Sequence, residues 1–219
     1  MSIYDLLQNT EDDEAGCIKG VAIGIVTNNK DDKGLGRVKV RFPWRENDQE
    51  SYWARIATLM AGKERGSFFL PEVNDEVLVA FEKQDVRFPF VLGVLWNGQD
   101  KPPETNSDGK NNIRKITSRS GHEIIFNDNH EQKKERIEIH TKAGHQIVLD
   151  DAAGSEKIEI KDKTGSNSIV IDSTKNSMAL ESTLDLTIKS QNISIVADFA
   201  LTIKAGAVLT LQGAFVKIN

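Results

Sequence analysis

Cysteine is nearly missing from this 219-residue chain. Cys17 stands alone, so no internal disulfide can form and no second thiol offers a zinc site. Also missing is any apolar run near the roughly 20 residues that a membrane-spanning helix requires. The opening stretch, residues 1–14, has no basic region ahead of an apolar one and turns acidic at once. It does not read as a secretory leader, so the expected place of synthesis is the cytoplasm, with export left to a larger machine. A basic excess is absent too. Twenty-eight Lys and Arg stand against 33 Asp and Glu, a net charge of −5, which argues against a face built to bind phosphates.

Large rings are lacking from half of the chain. Ten of the aromatics, from Phe42 to Trp96, fall between residues 40 and 97, and only Phe126, Phe199 and Phe215 follow. Rings fill volume in a compact core, so the first half reads as globular and the second as narrow. Between them, Asn97–Gly109 is polar and rich in Pro and Gly, the composition of a linker.

The first half holds five strand candidates: 20–26, 36–42, 52–59, 76–81 and 90–96. Several alternate, as in Val38-Lys39-Val40-Arg41-Phe42, which places the apolar side chains on one face. Asn28–Gly34 is a turn between the first two. Five short strands in some 80 residues fit a small OB-type barrel.

The second half repeats itself. Gly121-His122-Glu123-Ile124-Ile125-Phe126-Asn127-Asp128 returns as Gly144-His145-Gln146-Ile147-Val148-Leu149-Asp150-Asp151, and more loosely from Gly165 to Asp172. Between the copies, Ile137/Ile139 and Ile158/Ile160 alternate strictly with charged residues. From Leu184 the repeat shortens to pairs or triplets two apart: Leu184/Leu186/Ile188, Ile193/Ile195, Leu201/Ile203, Leu209/Leu211 and Val216/Ile218. Strands this short, with one apolar stripe each, cannot build a core from their own neighbours. Three copies wound about one axis can, because each covers the open edges of the other two. A single-chain solenoid is the competing solution. Charge thins as well, leaving Asp198, Lys204 and Lys217 after residue 190, so this end bears little desolvation penalty if it enters a bilayer or is buried under a partner.

Four segments resemble, in order, the VgrG and phage baseplate-V spike family. They are Gly36-Arg37-Val38-Lys39-Val40-Arg41-Phe42-Pro43-Trp44, Tyr52–Ala57 with Ala61-Gly62-Lys63, Phe69–Phe81, and Arg87–Gly98. The repeats after residue 113 resemble the needle of that family. The resemblance implies an all-β chain: an N-terminal segment 1–18, an OB barrel 19–98, a linker 99–112 and a triple-stranded β-helix 113–219. It implies a non-enzymatic homotrimer, without cofactor, that docks on a separate hub protein of a contractile injection system and punctures a target envelope. Ile3, Tyr4, Leu6 and Leu7 are the expected hub contact. Phe215, Val216, Ile218 and Asn219 form a blunt end, similar to those capped by a PAAR-type tip protein.

Other chemistries have thinner support. His122 and His145 occupy the same slot in two repeats, and three chains would gather either into a ring of imidazoles able to hold a metal; the plainer reading is a polar turn residue. Asp128 and Asp150-Asp151 could suggest paired carboxylates, but they sit at turns, where Asp bonds its own backbone. Arg37, Lys39 and Arg41 with Trp44 and Trp53 could suggest a nucleic-acid platform, which Glu46, Asp48 and Glu50 oppose. A trimeric receptor-binding or polysaccharide-degrading fibre is the alternative function, and it would need exposed aromatics that the second half lacks.

Overall fold

A computed structural model describes residues 18–45 and 49–218. The chain divides into two compact units between Ser107 and Asp108. Within the first, strands β1 (Val21–Asn28), β2 (Lys39–Arg41), β3 (Arg55–Ile56), β6 (Glu76–Phe81) and β7 (Pro89–Leu95) join in the order β2-β1-β6-β7-β3. All neighbours are antiparallel except β3 with β7. The sheet curls into a half-barrel around Val26, Val38, Val40, Phe42, Ala54, Val77, Val79, Phe81 and Val91. Alternation explains the lining: along β6, Val77, Val79 and Phe81 turn inward while Glu76, Leu78 and Ala80 are half-covered. Gly24 lets β1 lie close, since a Cβ there would already stand 3.4 Å from Phe42, Val40 and Val79.

Two expected strands are shorter than the sequence suggests. Of residues 36–42 only Lys39–Arg41 pair regularly, ending two residues before Pro43, which has no N–H for a ladder. Val38 is linked to Ala54 by an isolated bridge. Residues 52–59 pair regularly only at Arg55–Ile56. A small hairpin, β4 (Ala61–Gly62) and β5 (Arg65–Gly66), lies where no strand was expected. Gly66 is required there: its φ is +146°, and a Cβ would sit 2.4 Å from the Met60 carbonyl oxygen.

The turn after β1 is closed by one ion pair. Asp31 accepts backbone N–H groups of Lys33 and Leu35 and a two-point hydrogen bond from Arg37. The Arg37 guanidinium, chiefly, holds the Asp31 carboxyl well below the usual carboxylate range.

The second unit is a seven-stranded antiparallel meander. In sequence order it runs β8 (Ile113–Thr117), β9 (Glu123–Asn127), β10 (Arg136–His140), β11 (Gln146–Asp150), β12 (Lys157–Lys161), β13 (Asn167–Asp172) and β14 (Ser177–Ser182). Each pairs with the next without a register shift. The second unit of a single chain is therefore a single-layer sheet. Residues 183–218 form no strand; the short strands expected from Leu184 onward find no partner within their own chain.

Candidate assembly interface

The meander aligns its apolar residues in two rows across one face. The first row runs Ile116, Ile124, Ile139, Ile147, Ile160, Ile169 and Leu180, each opposite the next in register. The second runs Phe126, Ile137, Leu149, Ile158, Ile171 and Met178, with Arg114 at its head. Period-2 alternation puts them on one side, and five-residue strands set the width at two side chains. The face is not dry in the single chain: Ile139 and Ile160 are 41% and 44% exposed.

The opposite face is the better covered one. Glu138 there is 7% exposed, held between Arg136 and His140, whose Nε2 stands 2.7 Å from the carboxylate. Glu159 lies between Lys157 and Lys161, at 3.5 and 2.7 Å, and the Lys161 ammonium, above all, lowers its pKa. Lys115 meets Glu123 at 2.7 Å. The Lys, Arg and carboxylate charges satisfy one another within the sheet, while the buried His140 Nε2 makes no hydrogen bond. The apolar face has no such complement, so it is the surface that carries an unmet demand for burial.

Ile137, Ile139, Ile158 and Ile160, singled out from the sequence, sit side by side on this face. Their partners Ile124, Phe126, Ile147, Leu149, Ile169, Ile171, Met178 and Leu180 belong with them. For all but Met178 and Leu180 the signal was present in the Gly-led repeats, whose alternation is the same, although the apolar residues between them blur it. Leu184, Leu186, Ile188, Ile193, Ile195, Leu201, Ile203, Leu209 and Leu211 are all exposed, as are Phe215, Val216 and Ile218. Ile3, Tyr4, Leu6, Leu7 and Asn219 lie outside the described residues.

The histidines of the repeats have a structural task. His122 Nδ1 accepts the backbone N–H of Lys142 at 3.4 Å, and His145 Nδ1 that of Lys163 at 3.2 Å. Each imidazole thus ties its own turn to the next turn on the same edge, and Nδ1 is engaged in both. The candidate acids serve turns as well: Asp128 pairs with Arg114, and Asp150 accepts the Ala152 N–H at 3.0 Å. On the barrel, Arg37 and Lys39 lie 5.6 and 5.5 Å from the Trp53 ring centre. Asp31 and Glu50 match their charges, so that ring face is occupied by the chain itself.

Residues 22–96 match the family described as the type VI secretion system/phage-baseplate injector OB domain. The half-barrel above is the part of the chain that this match covers. The chain is 33% identical over 114 residues to the type VI secretion system spike protein VgrG1a of Pseudomonas aeruginosa, covering 48% of this chain and 18% of that protein. It is 33% identical over 131 residues to VgrG5 of the same organism, covering 51% and 16%. To the actin cross-linking toxin VgrG1 of Vibrio cholerae it is 31% identical over 113 residues, covering 48% and 10%. The resemblance seen in the four barrel motifs is therefore real, and the chain spans less than a fifth of each of these relatives. Among the described residues, no helix is long and apolar enough to cross a membrane.

Proposed function

We propose that this chain is the central spike of a contractile injection baseplate, working as a homotrimer and without catalysis. The observation that carries the reading is the pair of apolar rows: continuous over the meander, two side chains wide and uncovered in the single chain. Simple geometry favours three copies. Five-residue strands span about 17 Å, and three such sheets around an axis leave each about 5 Å from it, half the usual 10 Å spacing of packed sheets. Their apolar faces then fill the centre, with no bore.

In this reading residues 1–18 precede the barrel as a hub anchor, 19–98 dock on a separate hub protein, 99–112 link, and 113–219 form the needle. Ile137, Ile139, Ile158 and Ile160 pack in its upper part. The apolar pairs from Leu184 to Leu211 pack below, where each chain pairs only with the other two. Phe215, Val216, Ile218 and Asn219 seat a PAAR-type tip protein, and Ile3, Tyr4, Leu6 and Leu7 grip the hub. Assembled into a phage-tail-like particle and driven outward, the needle punctures the target envelope. The injector OB domain and the spike proteins that share it support this role. Light scattering after size exclusion tests it: the full chain is expected at three times 24.3 kDa, and a chain ended near Gly109 falls to a monomer. A monomeric full chain refutes the needle.

A further inference from the structure

The meander has two turn edges, and they differ. On one edge the turns 118–122, 141–145 and 162–166 share a build: Gly121, Gly144 and Gly165 each donate to the carbonyl three residues back. Their second positions are Arg119, Lys142 and Lys163, and against Asp162 this edge carries a net +2. The other edge, turns 128–135, 151–156 and 173–176, holds five carboxylates against three lysines, a net −2. Among the described residues, Lys142 and Lys163 have no carboxylate partner and Asp151 has no cationic one; on the Asp151 edge Lys133 and Lys134 have no ion-paired carboxylate either. Asp151 thus lies on the edge opposite Lys142 and Lys163, separated from them by the length of β11.

Their levels interlock. In a meander, turns alternate between edges, so the turn that begins at Asp151, joining β11 to β12, stands midway between those of Lys142 and Lys163. A rotation about an axis parallel to the stacking of the strands changes no level. It carries one edge of a sheet onto the opposite edge of the next copy. One strand spacing, about 4.8 Å, then separates Asp151 of one copy from either lysine level of its neighbour, within reach of a lysine side chain.

We infer that the trimer closes head to tail through these edges, with Asp151 of each copy set between Lys142 and Lys163 of the next. This rests on the trimeric reading above, in which the rotation itself brings opposite edges together, and adds to it the charged residues that join them. The hydrogen bonds that the Lys142 and Lys163 backbone N–H groups donate to His122 and His145 tie successive turns of this edge together.

The test is a pair of cysteines, Lys142→Cys with Asp151→Cys, in a Cys17→Ser background. Within one chain the two sites lie about 17 Å apart, the span of a five-residue strand, too far for a disulfide. Mild oxidation followed by a denaturing, non-reducing gel is expected to give a covalent trimer from the double variant and none from either single variant. In parallel, Lys142→Glu with Lys163→Glu is expected to lower the dissociation temperature of the trimer, and adding Asp151→Lys to restore it. If light scattering shows a trimer yet no covalent trimer forms, and charge reversal leaves the dissociation temperature unchanged, the edge pairing is overturned and the trimer stands. If the unmodified chain is a monomer, both fall together.

Discussion

At the residue scale, the most committed charge is Asp31, 3% exposed at its side chain and bound by Arg37 and two backbone N–H groups. Its pKa is lowered in the folded chain, so its contribution to stability is complete above the unfolded value near 4. It is lost as pH falls through the lower folded value. Asp31→Asn should therefore lower the barrel's melting temperature at neutral pH and flatten its acid decline. Tryptophan fluorescence reads this directly, because Trp44, Trp53 and Trp96 all lie in the first unit. An unaltered acid limb would show that the turn is held by other contacts. Asp162 is a second such group. The Thr164 hydroxyl and the Asn167 amides bring it down to about 2, in a turn where two sister turns use Ser118 and Thr141 hydroxyls for the same backbone contact.

The scale of the element is set by turns. Gly144 has φ +99°, and a Cβ there would meet Lys163 at 3.6 Å from its Cβ and 3.7–3.8 Å from its backbone. Space is thus adequate and backbone conformation is the constraint. Gly144→Val should cost about 1–2 kcal/mol of sheet stability, the usual penalty for a side chain in that region. A denaturant titration followed by far-ultraviolet circular dichroism measures it, and an unchanged midpoint would mean that the turn adapts. The strands themselves contribute through alternation: one face satisfied by ion pairs, the other left apolar. A strand with charges on one face and isoleucine on the other is stable only where something covers the isoleucine.

On the scale of the whole molecule, covering that face is what a second and a third copy would do. In the proposed trimer Ile203→Asp would place three carboxylates near one axis, and burying an unpaired charge costs several kcal/mol. The variant is expected to lose the trimer by light scattering while the fluorescence transition of the barrel stays put. Ile139→Asp should do the same from within the meander. A normal trimer from both would require a different packing of the needle, whatever the state of the barrel.

Much of this was legible in residue order. The ring-rich first half, the alternation of β6 and β10, and the turn at Asn28–Gly34 announced a barrel and a narrow second unit, because local patterning responds to which face is buried. The short hairpin at Ala61–Gly66 escaped it, since a positive φ at Glu64 and the tight approach of Gly66 leave only a pair of glycines in the sequence. The sequence by itself determined which side chains share a face, as two residues per strand period allow no other assignment. Only the tertiary structure decided how those faces line up. Register between strands, fixed by the turns at Gly121, Gly144 and Gly165, turned scattered pairs of isoleucine into two unbroken rows, and set Asp151 on the edge opposite Lys142 and Lys163.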